Sequence, residues 1–442
     1  MRIFKLMLGI AIILSALPLS ASALTLTESI DIALNKNQQV VQAQEKVNSA
    51  SARVWQSFSN FLPKISLDGS LGQNYTQPIN LVLPPSLGGG TFSTSPDQAS
   101  NLTTYSLTLR ETIFNGGKDF QGYSIADISY QAAKLDLRRV QNETEANLIA
   151  SFYDVLKANK NLSLIQEATF NLKRNLEQTQ IFYAAGMVSN VDLLRLKTQV
   201  ANLEISRIQA ENGLGLARMV FENNLGEKLA PEADLEDSVL DSNLTLNLSA
   251  EAVLLETFAH RPEWKAYKMG LEVAEKAISL TYGNFFPSLS YIYSWGVTKS
   301  EYPGSSTHST NINSWRSLLV ASWSIFDGFS TINQIKDAQS QLKAAQAQEK
   351  IIRDGIALEV KSAYLNLIST RARINAAEIA ANLAEKTLKT AEINYKANII
   401  SEQSYLDVQT TNQASQLLLW TARYDFEVAK AKLNKAVGKK II

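Results

Sequence analysis

Two kinds of hydrophobic periodicity alternate along the chain, and the alternation occurs twice. In the first kind, apolar side chains occupy every second position, which predicts β-strands with one apolar and one polar face. The strands indicated in this way are 64–75, 104–110, 288–297 and 315–325. The last strand alternates less regularly, because Leu318 and Val320 fall on its polar face. The pattern predicts two β-hairpins, 64–113 and 287–325, closed by solvent loops at 77–100 and 299–313.

In the second kind of periodicity, apolar residues recur three, four or seven positions apart after each hairpin. In the first half these residues are Leu148, Phe152, Val155, Leu162, Ile165, Leu172 and Leu176. The spacing predicts coiled-coil helices over 118–184 and 331–396, each about 65 residues and roughly 100 Å long at 1.5 Å per residue. Shorter helical patterns cover 27–61, which the following Pro63 ends, and 189–225.

A single set of landmarks occurs twice in the chain. Ile113-Phe114-Asn115-Gly116-Gly117 recurs as Ile325-Phe326-Asp327-Gly328-Phe329, and residues after it keep the same offset as far as Gly226 and Gly438. Upstream, Phe61-Leu62-Pro63 corresponds to Phe285-Phe286-Pro287 at a slightly larger offset. That offset aligns Asn37 with Arg261. The repeat divides the chain into a first structural repeat (24–226), an inter-repeat linker (227–250) and a second structural repeat (251–442).

Glycine follows each hairpin where strand gives way to helix, at Asn115-Gly116-Gly117 and Asp327-Gly328. Glycine adopts a positive φ without the steric penalty that other residues incur. The glycines therefore predict a swivel between strand and helix, and an ordinary glycine turn predicts the same residues.

The first 23 residues have the composition of an export signal. Arg2 and Lys5 precede an apolar run over 6–19, and Ala21 and Ala23 supply the small side chains of a cleavage site. We expect a signal peptide over 1–23, with cleavage after Ala23. No later segment approaches the roughly 18 consecutive apolar residues of a membrane-spanning helix.

Composition excludes several classes of function. The 42 basic and 42 acidic residues balance, so the chain has no global charge that would attract nucleic acid. Cysteine is absent, and the two histidines, His260 and His308, make a transition-metal site improbable. The chain contains no phosphate-binding loop and no hydrolase or metalloprotease motif. We therefore expect no cofactor, no metal and no catalytic residue.

Strands of about ten residues with one apolar face suit a barrel wall between lipid and water, although a soluble β-sandwich uses the same pattern. Four strands are too few to close a barrel, and open sheet edges are not tolerated in lipid. The chain must then share its barrel with copies of itself. Strand arithmetic alone allows two, three or four chains.

Several motifs together resemble the TolC family of outer-membrane efflux proteins. They are the opening Leu26–Leu34, the Phe-Leu-Pro and Phe-Phe-Pro helix ends, the Phe-Asn-Gly-Gly and Phe-Asp-Gly-Phe turns and the paired tips that begin at Tyr183 and Tyr395. The resemblance spans essentially the whole mature chain. It implies a mainly α-helical protein in which a long helical tunnel continues a transmembrane β-barrel, with four strands per chain and a trimeric 12-stranded barrel.

The same resemblance implies a location in the outer membrane, in contact with its lipid, with a large periplasmic part. It also implies a passive exit duct for tripartite efflux or type I secretion. The expected partners are a periplasmic adaptor protein and an inner-membrane pump of the RND, ABC or MFS type. A structural coiled-coil surface protein without a transport role is the alternative reading.

The tips are the expected gate. By resemblance, Asp192 and Asp407 match acidic positions that narrow the tunnel entrance, Ser404 replaces a further acid, and Ile400 replaces a basic partner. Tyr395 matches a latch tyrosine. Helix capping is an alternative role for Asp192, a solvated helix face for Asp407, and packing between helices for Tyr395.

The turns themselves are the expected docking surface for the adaptor. The residues concerned are Gly186, Met187, Val188 and Ser189 in the first tip and Asn398, Ile399, Ile400 and Ser401 in the second. Exposed apolar residues at tight turns suit docking onto another protein. Packing between neighbouring tips is the alternative.

Overall fold

The computed structural model describes residues 23–76, 80–93, 98–230, 234–237, 249–301, 309–397 and 399–441. Nearly all of the expected signal peptide, parts of the loops and of the linker, and the tip residue Asn398 lie outside the described residues. The described chain is mostly helical and carries a smaller β part, as predicted.

Apart from the short strands β2 and β3, the described residues of both halves contain the same order of elements. The first half contains α1 (Leu26–Lys36), α2 (Gln38–Phe58), β1 (Lys64–Thr76), β2 (Asn80–Leu83), β3 (Gly90–Ser93), β4 (Gln98–Asn115), α3 (Lys118–Ala184) and α4 (Asn190–Leu225). The second half contains α5 (Ala250–His260), α6 (Pro262–Tyr282), β5 (Ser288–Glu301), β6 (Ser309–Ser322), α7 (Ser330–Lys396) and α8 (Glu402–Val437). Short 3-10 turns follow α2 and α6, at Ser59–Phe61 and Gly283–Phe285.

The predicted helix over 27–61 is wrong as a single element, because the chain breaks between α1 and α2 at Asn37. Asn37 has extended backbone angles, φ −63° and ψ 127°. Its side-chain amide donates to the carbonyl of Asn224, 2.8 Å away, and its side-chain oxygen accepts from the backbone N–H of Gln39. The break is therefore fixed by a partner far away in the sequence.

Two further expectations for the hairpins need correction. The predicted solvent loop 77–100 contains the two-stranded ribbon β2–β3, in which Val82 is paired with Thr91. The predicted strand 315–325 instead begins at Ser309 and ends at Ser322. Ser322 pairs with Ser288, the first residue of β5, so residues 323–325 extend past the end of the neighbouring strand.

The chain forms two compact units that cut across both repeats. One comprises Met1–Gln42, Arg138–Arg261 and Ile356–Ile442, and the other comprises Ala43–Leu137 and Pro262–Gly355. The repeat boundaries 24–226 and 251–442 concern the sequence pattern, and they stay a prediction.

The second unit holds a four-stranded antiparallel sheet in the order β1-β4-β5-β6. Its pairs keep apolar residues on one face, as in Leu67 with Leu107, Leu107 with Trp295, and Trp295 with Trp315. Strands β1 and β6 are the edges, each with one neighbour within the described part of the chain. Both edge strands are exposed along nearly their whole length.

The turns after β4 and β6 have the left-handed geometry expected of them. Gly116, Gly117 and Gly328 have φ values of 73°, 76° and 66°. Phe329 also adopts a positive φ, of 67°, which the glycine pattern did not predict. A phenylalanine pays a steric cost in this conformation, and its ring packs edge-on against Phe326 with centroids 5.4 Å apart.

The first unit has the main hydrophobic core, where α3, α4 and α8 meet. Phe152, Phe221 and Tyr424 are fully buried there, and the rings of Phe152 and Phe221 lie 5.9 Å apart. Of the predicted coiled-coil stripe, Leu148, Phe152, Val155 and Leu172 are buried, and Leu162, Ile165 and Leu176 are partly buried. The stripe is confirmed as a packing surface.

The start of the described chain and the linker between the repeats lie against this core. The N–H of Leu24 donates to the carbonyl of Asp234 at 2.8 Å, and Leu24 forms a parallel bridge with Leu235. The hydroxyl of Tyr424 donates to the carboxylate of Asp237 at 3.0 Å. The linker is thus anchored in the first unit by hydrogen bonds at both of these points.

Candidate functional site

The turn between α3 and α4 is the first of the two tips, and both tips lie in the first compact unit. Gly186 takes the left-handed position after α3, with φ 72°. Its N–H donates to the carbonyl of Tyr183, and the N–H of Met187 donates to that of Phe182. These two bonds satisfy carbonyls that a helix end would otherwise leave unpaired, as glycine permits in this position.

Ser189 begins the next helix by capping it. Its hydroxyl accepts from the N–H of Asp192 at 3.2 Å and donates to the Asp192 carboxylate at 2.6 Å. Arg195 lies 3.9 Å from the same carboxylate. Asp192 therefore takes part in capping, which was the alternative role expected for it. Its role in gating stays a prediction.

The turn between α7 and α8 repeats this construction. Ser401 accepts from the N–H of Ser404 at 3.2 Å, so Ser404 occupies the position that Asp192 has in the first tip. The N–H of Ile399 donates to the carbonyl of Asn394 at 2.8 Å. The hydroxyl of Ser404 lies 3.1 Å from that of Ser401, where the first tip has a carboxylate.

Tyr395 and Tyr405 join the two helices of the second tip. Their rings stack with centroids 5.0 Å apart and planes 7° from parallel. Burial raises the pKa of both phenols, and the nearby Glu402 raises the pKa of Tyr395 further. The stack is compatible with the packing role expected as the alternative to a latch, and the latch role of Tyr395 stays a prediction.

Glu402 is a residue that the sequence analysis missed. It is the first residue of α8, where the helix dipole normally favours a charged carboxylate. Burial nevertheless raises its pKa, and the negative charge of Asp192 raises it further. One of its carboxylate oxygens is buried without a hydrogen-bond partner. A glutamate directly after a capping serine was the only signal in the sequence.

Glu402 and Asp192 line one open groove between the two tips. The groove has a volume of about 230 Å³, and its other lining residues include Arg195, Gln199 and Leu406. The tips thus meet through two carboxyl groups and one nearby guanidinium. The negative charge of Asp192 disfavours ionisation of Glu402.

Asp407 lies on the exposed surface of α8, where it accepts from the side-chain amide of Gln403 at 2.8 Å. This is compatible with either role expected for it, a solvated helix residue or a carboxylate on a shared pore. Met187 and Ile399 are strongly exposed at the turns, and Val188 and Ile400 are partly buried. Asn398 lies outside the described residues.

Among the described helices, none combines the length and the apolar composition that crossing a membrane requires. The described residues also contain no group of three or more histidine, cysteine, aspartate or glutamate side chains arranged to hold a metal ion.

The fold is similar to that of solved outer-membrane channels. It is similar to the CmeC outer-membrane channel of Campylobacter jejuni, with a TM-score of 0.74 and 16% sequence identity over 94% of this chain and 87% of that one. It is also similar to the outer-membrane protein VceC of Vibrio cholerae, with a TM-score of 0.73 and 16% identity over 94% of this chain and 97% of that one.

The sequence defines the family. The chain belongs to the outer membrane efflux protein family, whose profile matches residues 29–219 and 253–439. A relative among characterised proteins is the outer membrane protein TolC of Escherichia coli strain K12, which is 24% identical over 357 residues, or 77% of this chain and 70% of TolC. The predicted resemblance and outer-membrane location are confirmed, and the protein is an outer-membrane duct for efflux or secretion.

Proposed function

We propose that three copies of this chain form a passive channel, with a 12-stranded transmembrane barrel continued by a helical tunnel in the periplasm. The observation that carries the proposal is the sheet β1-β4-β5-β6, which has one apolar face and two open edges. Three such sheets give twelve strands, an even number within the range of bacterial barrels, and leave no edge exposed to lipid.

The tips are the proposed gate and docking surface. Asp407 of each chain narrows the entrance, Asp192 and Ser404 occupy equivalent positions at the two helix starts, and the Tyr395 stack holds the second tip together. The exposed Met187 and Ile399 support docking onto a periplasmic adaptor. An inner-membrane pump of the RND, ABC or MFS type supplies the energy.

The channel itself catalyses nothing. Its relatives are transport channels, and a wide water-filled duct selects its cargo poorly, so the pump determines the substrate. The tips suit either tripartite efflux or type I secretion.

Maturation by cleavage after Ala23 would make Leu24 the first residue. Its amino group would then be the donor to the carbonyl of Asp234. N-terminal sequencing of protein from the outer-membrane fraction tests this step, and a chain that retains Met1 there contradicts it.

Two measurements on the purified protein test the channel. Native mass spectrometry of the detergent-extracted complex should give three chains, and planar-bilayer recordings should show discrete conductance steps. A stable monomer in the membrane ends the trimeric model. A trimer without conductance favours the structural coiled-coil surface protein.

A further inference from the structure

The charged side chains of the four-stranded sheet are divided unequally between its two faces. Residues that are paired directly across neighbouring strands lie on the same face, so the pairs define rows that cross the sheet. The apolar face contains rows such as Leu67 with Leu107. The opposite, polar face contains mainly serine, threonine and glycine, and it carries three cations: Lys64 in β1, Arg110 in β4 and Arg316 in β6.

Two of these cations lie directly opposite each other. Lys64 is paired with Arg110 on the neighbouring strand. Like charges in this position destabilise a sheet. The side-chain oxygen of Asn60 accepts from the Lys64 Nζ at 3.2 Å, but an amide does not neutralise the charge. Among the described residues, no carboxylate forms an ion pair with Lys64 or Arg110.

Arg316 adds the third cation one row further along the same face. It is paired with Ser294, and Ser294 is paired with Thr108, two residues before Arg110 in β4. Two residues of a strand span about 7 Å, so the three cations occupy two neighbouring rows. Arg316 is exposed, and it too has no ion pair within the part of the chain that the structure describes.

The positive charge on this face exceeds the negative charge. Asp68 is the one carboxylate that the described strands place there, and it accepts from the hydroxyl of Ser66 at 3.1 Å. The face therefore carries a net charge of +2 per chain. The other charged residues of the sheet, Glu111, Lys299 and Glu301, lie on the opposite face, where Lys299 and Glu301 form an ion pair at 2.5 Å.

The internal repeat shows that the hairpin fold does not require these charges. Ser288 pairs with Ser322 in the second hairpin, at the offsets of 224 (64 to 288) and 212 (110 to 322) that relate the repeats. The same 212-residue offset relates position 316 to position 104. Each cation thus corresponds to a small hydroxyl residue in the other hairpin, so folding does not account for it. The equivalents of Lys64, Arg110 and Arg316 are Ser288, Ser322 and Thr104.

We propose that Lys64, Arg110 and Arg316 form a basic belt on the inner wall of the barrel, which attracts anionic solutes. The belt rests on the proposed trimer, in which the apolar face meets lipid and the polar face lines the water-filled lumen. Three chains give the lumen a net charge of +6 from the belt and Asp68. Rings of arginine and lysine favour anions in pores, and a guanidinium binds a phosphate through two parallel hydrogen bonds. The preferred solutes are multivalent anions such as phosphate esters.

Lipid headgroups are the other source of phosphate near the belt. Lys64 is the first residue of β1, so the belt lies at the end of the sheet that adjoins the helices. The strand neighbours of the two opposed cations, Ile65 and Leu109, are paired with each other on the apolar face. Successive side chains of a strand point to opposite faces. Lys64 and Arg110 therefore point away from the face that would meet lipid.

Block by inorganic tripolyphosphate in planar-bilayer recordings tests the belt. Applied from the extracellular side, the probe reaches the barrel without passing the predicted gate. The double variant Lys64→Ser, Arg110→Ser gives the first hairpin the residues of the second and removes two cations from each chain. The tripolyphosphate concentration that halves the current should rise roughly tenfold, because most of the charge that holds the anion is gone. The reversal potential in a KCl gradient should shift towards cation preference.

Two single variants accompany the double variant. Lys299→Gln is the matched control, because it removes a cation from the opposite face of the same sheet. Its half-block concentration should stay within about twofold of that of the natural channel, since salt screens a charge across the wall. Arg316→Thr introduces the equivalent residue of the first hairpin and should raise the half-block concentration roughly threefold. It carries the test if the double variant does not assemble.

The outcomes separate the belt from the channel. Half-block concentrations that are unchanged in the double variant and in Arg316→Thr overturn the belt, leave the channel intact and favour lipid headgroups as the partners of these cations. An equal rise for the double variant and Lys299→Gln overturns the assignment of the cations to the lumen. A natural protein that does not conduct overturns the proposed function itself.

Discussion

Arg261 does in the second half of the chain what Asn37 does in the first. Asn37 donates to the carbonyl of Asn224 at 2.8 Å, and Arg261 donates to the carbonyl of Ala436 at 3.0 Å. The two acceptors are equivalent, since 436 minus 224 is the 212-residue offset of the repeat. Both donors end a short helix in extended conformation, at the breaks between α1 and α2 and between α5 and α6. Two different side chains thus fix the same break.

Removing the Arg261 side chain should destabilise the first unit. Arg261 is only 6% exposed, and besides the Ala436 carbonyl it binds the carboxylate of Glu359 at 2.5 Å. Hydrogen bonds to a charged group contribute about 1.5–3 kcal/mol, so Arg261→Met should cost about 2 kcal/mol. The measurement is denaturant unfolding of the detergent-solubilised protein, followed by circular dichroism.

Two variants control this experiment. Lys36→Ala removes an exposed ion pair with Glu227 and should cost less than about 1 kcal/mol. Arg261→Asn introduces the side chain that Asn37 has in the first repeat. It should recover part of the lost free energy of unfolding only if the shorter side chain reaches the carbonyl of Ala436. If Arg261→Met and Lys36→Ala lower the free energy of unfolding equally, the buried contacts of Arg261 contribute little to stability.

Adjacent glycines at the first swivel should differ in their tolerance of a side chain. Gly116 and Gly117 have nearly the same φ, 73° and 76°. A Cβ at Gly116 would collide with the Gly283 carbonyl, whereas one at Gly117 would meet open space. Gly117→Ala should cost only the left-handed penalty of about 1–2 kcal/mol. Gly116→Ala should add the cost of displacing backbone and reduce the yield of assembled protein.

Native mass spectrometry and the yield from the outer-membrane fraction measure this difference. The chain itself supplies a precedent, because Phe329 occupies the position equivalent to Gly117 at φ 67°. Equal yields for the two variants would mean that backbone conformation, and not the approach of Gly283, requires the glycine at position 116.

The sequence predicted the presence of the four strands of the main sheet, the long helices and the positive φ of the swivel glycines, because local periodicity and glycine chemistry determine them. It did not predict the break at Asn37, since the bond that fixes it joins residues 187 positions apart. The sequence also did not predict the groove between the tips, for a similar reason. The burial of Glu402 and its nearness to Asp192 depend on how α4 and α8 pack, which no local pattern reports.

Lowering the pH should stabilise the groove between the tips. Burial and Asp192 raise the pKa of Glu402 above its usual value of 4.5. A raised folded-state pKa means that the folded tip favours the protonated carboxyl. This contribution is fully present below the unfolded pKa and is lost as the pH rises through the folded one.

Hydrogen exchange of the backbone amides in 399–407 measures this effect. Exchange, corrected for its intrinsic pH dependence, should indicate greater protection at pH 5 than at pH 7.5, and Glu402→Gln should be protected at both. Glu385→Gln is the control, because Lys389 lowers the pKa of that exposed carboxyl and its effect has the opposite sign. Protection that falls on acidification in the natural protein and is unaffected by Glu402→Gln would exclude Glu402 as the responsible group.

Asp407 should control cation passage through the assembled channel. In the proposed trimer, one Asp407 from each chain places three carboxylates around a common axis. Convergent negative charges raise the energy of a narrow aperture unless cations occupy it, so the closed channel should bind multivalent cations and favour cation passage. Asp407→Asn keeps the shape of the side chain and removes the charge. It should weaken both multivalent block and cation preference in single-channel recordings.

Asp192→Asn is the matched comparison, because it makes the same chemical change at the other predicted gate acid. Asp192 accepts from the Ser189 hydroxyl and faces Arg195, so its loss should act mainly through the stability of the first tip. Asp407 has its contact with Gln403 on an exposed helix surface, and its replacement should leave the fold unchanged. If the Asp407→Asn trimer is intact and its selectivity and block match those of the natural channel, Asp407 is a solvated helix residue and the gate lies elsewhere.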